Sequence, residues 1–410
     1  MTLDPNDIDL AGLAPERRNG ISLFPDPNLG LLKIDIAFEA GAAHQPKPLV
    51  AGAANNLLAK GTARRSAQEI AEYIDYRGAE WSVAADSTGA QLSLYTLPRY
   101  AAELAPLLKE LTTEATYPEE EVEIYLAKRR QELQANLQKT SYMARLLFFR
   151  ALFPAPHPYG LYATPEDADK VTAQDVRAFH RQRYRWEEAR ITLSGACREA
   201  LQAMQSWLPA ATPASAPPRF PCAPATPQTL RHAMPQAVQS TLRMGRRLPF
   251  APNDPRHALF LVLNAVLGGY FGSRLMSNLR EDKGYTYGIY SRVQLLRDAS
   301  VFSLSADVNA EVADDALHQV RHELRRLRED PIPEEELERV RNYLVGDFLR
   351  GIDGVFERSE RLYHQENACL DDTLDANYLR ALATATPKQL QELAAATLQE
   401  ADLTTVVAGQ

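Results

Sequence analysis

Apolar positions along the chain fall into two recurring periods. Residues 31–39 and 81–97 are alternating or rich in β-branched and aromatic side chains, which predicts strands, while 49–60, 67–77, 100–115 and 118–138 have helical length and spacing. After residue 235 the same order returns. A strand is expected at 239–246, helices at 255–267 and 273–280, strands at 285–295 and 300–308, and helices at 310–328 and 333–350. Short strings repeat along with the elements. Tyr117-Pro-Glu-Glu-Glu-Val122 and Ile332-Pro-Glu-Glu-Glu-Leu337 each open a helix, with proline and acids suited to its first turn, and Tyr76-Arg-Gly78 and Asp282-Lys-Gly284 each precede a strand. The pattern implies an internally duplicated α+β fold of two homologous halves, each an antiparallel-rich sheet covered on one face by helices.

Composition places a boundary between the halves. Eight prolines lie among small residues in 209–235, and proline neither donates to a ladder nor continues a helix, so this stretch reads as an extended linker. The domains expected are therefore 1–208, the linker 209–235, and 236–410. With 410 residues, 45% hydrophobic and 24% charged, the chain is globular and too long for one core. Its apolar runs are too short to span a bilayer, so no membrane partner is expected. A net charge of −8, with 45 basic residues dispersed among 53 acidic ones, offers no field for a phosphate backbone, so no nucleic acid is expected either. The first residues carry no basic start followed by an apolar run, and three scattered cysteines (Cys197, Cys222, Cys369) form no disulfide framework. A cytoplasmic location is the expectation.

Common catalytic signatures are missing: there is no GxxxxGK[ST] loop, GxSxG elbow or HExxH pair. Gly268-Gly269-Tyr-Phe-Gly272 follows a helical segment and reads as a tight helix-to-helix loop rather than a phosphate cradle. His318 and His322 share a helix face, but Arg321, Arg325, Arg326 and Arg328 make that face cationic and no third ligand is evident, so it reads as solvated.

Taken together, several strings resemble the pitrilysin/insulinase family of zinc metallopeptidases, in its half-sized bacterial and processing-peptidase form. They are Phe38-Glu-Ala-Gly41, Lys60-Gly-Thr62, His157-Pro-Tyr-Gly160, Thr164-Pro-Glu166, Gly268-Gly-Tyr-Phe-Gly-Ser-Arg-Leu275 and Leu279-Arg-Glu-Asp-Lys-Gly-Tyr-Thr-Tyr287, in one consistent order. The resemblance implies two similar α+β halves per chain and two chains closing around a peptide. It also implies an inverted zinc motif, HxxEH, on the helix before Lys60. The three positions hold Gly52, Asn55 and Asn56 instead. Two imidazoles would bind the metal and the glutamate would deprotonate its water; glycine supplies no ligand, and an amide is a poor ligand and no base. Glu132 stands where the family keeps its distant third ligand, and Tyr125 where it usually has a supporting acid. On the substrate strand the family's Asn-Ala is replaced by Ser82 and Val83.

What persists of the pattern is Arg280 and Tyr287, which match the family's substrate-supporting Arg/Tyr pair. Arg280 is expected in the last turn of a helix and Tyr287 on the returning strand, so that guanidinium and phenol converge on a peptide carbonyl or developing oxyanion. The alternative leaves Arg280 pairing locally and Tyr287 packed in the core. The reading that follows is a non-catalytic subunit without a cofactor of its own. It would lend Arg280 and Tyr287 to a partner that bears HxxEH and zinc, or pair with itself as a dimer, around a peptide substrate. A peptide-binding or structural scaffold without a proteolytic complex is the alternative, and an active metalloendopeptidase the third.

Overall fold

In the computed structural model, residue 5, residues 8–205 and residues 217–410 are described. The first half contains β1 (Glu16–Arg18), β2 (Ile21–Pro25), β3 (Leu32–Phe38), α1 (Val50–Asn56), α2 (Ala67–Asp75), β4 (Glu80–Ala85), β5 (Ala90–Thr96), α3 (Ala101–Thr113), α4 (Glu119–Leu137), α5 (Thr140–Leu152), α6 (Ala173–Arg183), β6 (Arg190–Gly195) and α7 (Arg198–Gln205). The second contains β7 (Thr229–Ala233), β8 (Gln239–Arg247), α8 (Arg256–Asn264), β9 (Ile289–Leu295), β10 (Ser300–Asn309), α9 (Ala313–Glu329), α10 (Glu334–Arg350), α11 (Val355–Asn367), α12 (Leu374–Thr384), α13 (Pro387–Thr397) and β11 (Thr404–Gly409).

The two sheets run β1-β2-β6-β3-β5-β4 and β7-β11-β8-β10-β9. Apart from β1, they correspond strand for strand, including one parallel pair in each, β2 with β6 and β7 with β11. The duplication read from short strings is thus a duplication of topology. Its repeated helix starts work alike. Pro118 and Pro333 are N-caps, three glutamates fill each first turn, and buried Tyr117 and Ile332 precede the caps while Val122 and Leu337 are buried a turn inside. That arrangement fixes the entry angle of each helix.

Several sequence boundaries shift. The stretch read as one strand at 81–97 is the hairpin β4–β5, broken where the Asp86 carboxylate accepts the N–H groups of Thr88 and Gly89. The helix expected over 49–60 ends at Asn56, and the strand expected from 285 begins at Ile289. The helix expected over 255–267 continues past α8 as a π-helical turn, Ala265–Gly269, and a second π-helical stretch, Met276–Asp282, replaces most of the 273–280 helix. Strand β7 lies inside the stretch read as linker, paired in parallel with β11, so the proline-rich segment supplies an edge of the second sheet. Residues 206–216 of that linker lie outside the described residues.

Each half has its own core, built in the first from alternating residues such as Leu32, Ile34, Ile36 and Phe38 of β3 against α1, α2, α3 and α6. The other face of each sheet is covered by a helix from the opposite half: α5 lies on β8 and β11, and α11 on β2 and β6. The two crossings differ in chemistry. Beneath α5, Ala144, Phe148 and Leu152 join Val301, Val406 and Ala408 in an apolar cluster. Beneath α11 a smaller apolar cluster of Phe24, Val355 and Leu362 is accompanied by charged contacts. The fully buried Lys33 ammonium sits 3.1 Å from Asp35 and is bonded to Glu360, and Asn367 Nδ2 donates to Asp86 at 2.6 Å. Arg297, buried in the β9–β10 turn, holds Glu39 of the first half through two bonds of 2.8 and 3.0 Å, and also donates to the carbonyls of Asn367 and Pro218.

Candidate functional site

The positions that would form a metal site lie on α1, beside the edge strand β4. Helix α1 turns Val50, Ala51, Ala53, Ala54 and Asn55 into the core, which leaves Gly52 and Asn56, four apart, on its outer side. Asn55 is only 1% exposed; its Oδ1 accepts the Tyr184 hydroxyl at 3.1 Å, and its Nδ2 has no partner among the described residues. Tyr184 packs on Phe38 and on His180, whose Nε2 bonds to the Thr112 carbonyl. Burial raises the Tyr184 phenol far above its ordinary range and drops the His180 imidazole to about 4, so both are neutral near pH 7. Asn55 is therefore held as a structural amide. Tyr117 adds a second tether, its hydroxyl donating to the Ala54 carbonyl at 3.0 Å.

Three residues of α4 face this outer side at positions i, i+4 and i+7: Tyr125, Arg129 and Glu132. Asn56 Nδ2 donates to the Gly52 carbonyl at 2.8 Å, and a Cβ built on Gly52 would come within 2.9 Å of the Tyr125 hydroxyl. The phenol thus fills the space an imidazole at 52 would need. Glu132 is bonded to Arg129, with Lys128 Nζ 4.0 Å away. A carboxylate already neutralised by a guanidinium is a weakened ligand for a dication. With glycine and two amides as its neighbours it does not complete a zinc shell, and no group of three potential ligands occurs among the described residues. The residues present do not fit zinc. Spacing on α4 carried this signal in the sequence, but Arg129 and Tyr184 were not singled out.

Ser82 and Val83 lie on β4, which among the described residues pairs only with β5 and so leaves its other edge open. Ser82 is exposed, and Val83 turns inward against the core. Open backbone at a sheet edge can accept an extended peptide as an added strand.

Arg280 occurs in the π-helical stretch Met276–Asp282, near its end as the sequence suggests. Its guanidinium lies over the ring of Phe271, 4.3 Å from the centroid, and makes no ion pair with Glu281 or Asp282. Tyr287 precedes β9 rather than lying on it, and its side chain is 93% exposed. The core-packed alternative for Tyr287 is thereby overturned, because no neighbour shields the ring. No hydrogen bond or cation–π contact joins Arg280 to Tyr287 among the described residues, so the expected convergence would require something placed between them. The loop itself is pinned. The Tyr285 hydroxyl donates to Asp315 at 2.7 Å, Thr286 Oγ1 donates to the Asp307 carbonyl at 2.7 Å, and Gly284 takes the reversal at φ +66. His318 and His322 are both exposed on α9, as a solvated face requires.

Comparison with known proteins agrees with this geometry. Residues 170–344 match the family described as Peptidase M16 inactive domain. An uncharacterized zinc protease of Streptomyces coelicolor is 24% identical over 363 residues, which are 83% of this chain and 76% of that protein. A Helicobacter pylori protein named a non-peptidase homolog is 24% identical over 327 residues, 76% of this chain and 74% of its own. The crystal structure of a peptidase M16 inactive domain from Pseudomonas fluorescens shares the fold, with a TM-score of 0.85, 22% identity and 97% coverage of both chains. No helix among the described residues is long and apolar enough to cross a membrane.

Proposed function

Starting from a chain that is a homologue of the M16, or pitrilysin/insulinase, peptidases, we propose that it is the non-catalytic, cytoplasmic subunit of a two-chain zinc peptidase. The observation that carries this reading is a contrast within the chain. The positions of the metal shell are plugged by Tyr125 and neutralised by Arg129, while Tyr287 is held out on a pinned loop with its hydroxyl unpartnered among the described residues. A phenol so exposed costs nothing to the fold when removed and is available to another chain's substrate. In the assembled enzyme the partner carries HxxEH and zinc. This chain supplies half of the chamber, the β4 edge at Ser82 and Val83 for backbone pairing, and Arg280 and Tyr287 as donors to the peptide.

The test is kinetic, on a complex reconstituted with an HxxEH-bearing homologue. Tyr287→Phe should lower turnover by about a hundredfold if the hydroxyl meets a developing oxyanion, with assembly intact. Arg280→Ala should raise KM, since it removes an anchor to the peptide, and Arg321→Ala on the solvated helix should change neither parameter. If the complex retains full activity without Arg280 and Tyr287, this chain is a scaffold wall and the donor role is wrong.

A further inference from the structure

At the seam between the two halves, beside the crossing of α5, three arginines gather on one face of the second sheet. Strand pairing sets two of them there: Arg243 of β8 lies opposite Ser305 of β10, and Arg292 of β9 lies opposite Ser303. Leu242, Met244, Phe302, Leu304 and Ile289 turn the other way into the core, so both arginines stand on the side of α5. The serines between them are short and leave a trough. From α5, Arg145 lies over the rings of Tyr142 and Tyr162, 5.6 and 5.9 Å from their centroids. Tyr290, opposite Ser305 and half exposed, extends the same face toward Tyr287.

Nothing among the described residues satisfies this charge. Arg145, Arg243 and Arg292 make no ion pair and no hydrogen bond among them. Arg243 lies over Phe148 and Phe149, 5.4 and 5.8 Å from their centroids, but a ring face offers no oxygen to its N–H groups, and its Nε is buried without a partner. Burial, and with it the charges of Arg292 and Arg145, lowers the pKa of that guanidinium to about 10. Asp307, the carboxylate that these strands put on the same face, accepts the Thr241 hydroxyl and pairs with none of the three arginines. Ser303 is 4% exposed, and its hydroxyl too has no hydrogen-bond partner among the described residues. Like charges gathered without a counter-ion oppose folding, so the arrangement is complementary to an anion that arrives from outside.

We infer that this trough docks an acidic stretch of an extended peptide, its carboxylates among Arg145, Arg243 and Arg292 and its backbone leading over Tyr290 to Tyr287. A carboxylate takes two N–H groups from one guanidinium fork, and in an extended chain acids two residues apart point to the same side, so one segment can meet more than one arginine. Continuity of the face with the exposed Tyr287 favours a peptide over a small anion. The chain as a whole carries a net charge of −8 and repels such a ligand, so saturable binding must come from a local site. The inference deepens the reading of Tyr287 as a donor to peptide and rests on it for the course of the ligand. Binding is measured on this chain alone, without cleavage, so a failure of the two-chain enzyme and a failure of this site read separately.

The probe is a fluorescein-labelled oligoglutamate peptide, titrated with the full chain and followed by anisotropy, beside a labelled oligoglutamine peptide of equal length. Saturable binding of the first and none of the second are expected, with affinity falling as salt rises. Arg292→Glu and Arg145→Glu, both at exposed side chains, should each weaken binding at least about tenfold, and Arg292→Gln should weaken it less. Arg325→Glu, an identical charge change on the solvated face of α9, should leave affinity unchanged. Absence of saturable binding would overturn the inference, as would equal affinity for oligoglutamine or equal losses from Arg292→Glu and Arg325→Glu. Inorganic pyrophosphate that binds with the same dependence on Arg292 while oligoglutamate does not would give the cluster to small anions and overturn it as well.

Discussion

Placing histidine at 52 and 56 and glutamate at 55 is expected to leave the chain without zinc as long as Tyr125 and Arg129 remain. A side chain at 52 meets the Tyr125 hydroxyl within 2.9 Å of its first carbon, and Glu132 stays committed to Arg129. Adding Tyr125→Ala and Arg129→Ala to the three replacements clears the space and frees the carboxylate. That five-site variant should take up one equivalent of zinc, with affinity above the three-site variant by roughly several orders of magnitude, since the two introduced imidazoles and a freed Glu132 then close a three-ligand shell that the three-site variant leaves blocked. Metal analysis after dialysis against trace zinc measures both. Stoichiometric zinc in the three-site variant would show that the phenol and guanidinium are no obstacle.

A second large effect concerns the seam. Arg297→Leu removes the guanidinium that donates twice to Glu39 and strips donors from the carbonyls of Asn367 and Pro218. Breaking a buried pair from one side typically costs about 3–5 kcal/mol, because the remaining charge stays desolvated. Urea unfolding at pH 7 should show that loss, and pairing the change with Glu39→Met should recover much of it. The same pair sets a pH dependence. Burial opposes ionisation of Glu39, but hydrogen bonds from His44 and Arg297 and the charges of Arg297 and Arg190 override it and hold the carboxyl at about 2, below its ordinary 4.5. A carboxyl depressed in the folded state stabilises above its unfolded pKa. Its contribution, on the order of 3 kcal/mol, is therefore full above pH 4.5 and disappears as pH falls toward 2. Glu39→Gln should flatten that part of the acid unfolding curve. A curve unchanged in this window would mean the pair is not coupled to folding.

The duplicated architecture was legible because its markers are local: proline followed by three glutamates opens a helix wherever it occurs, and alternation along β3, β8 and β10 needs no tertiary context. The crossings of α5 and α11 were not, since nothing in a helix such as 355–367 says which sheet it will cover; Lys33 and Asp35 look like ordinary solvent-facing residues of a strand until α11 buries them. Loss of the metal ligands could be read from identity alone at 52, 55 and 56. What occupies their place could not, because Tyr125 reaches Gly52 across two helices. Tyr287 was misplaced onto a strand because Tyr285-Thr-Tyr287 has strand-forming residues, whereas Thr286 ties the segment to the Asp307 carbonyl outside the β9 ladder.

The central claim is that this chain contributes to zinc-dependent cleavage without holding the zinc. Metal content and chelator-sensitive cleavage of an unstructured peptide, measured for the chain alone, for an HxxEH-bearing homologue alone and for the two together, test it most directly. The account predicts no zinc and no cleavage for the chain alone, and one zinc per pair with cleavage well above that of the homologue alone for the mixture. Chelator-sensitive cleavage by the pure chain, or a homologue indifferent to its presence, would contradict it.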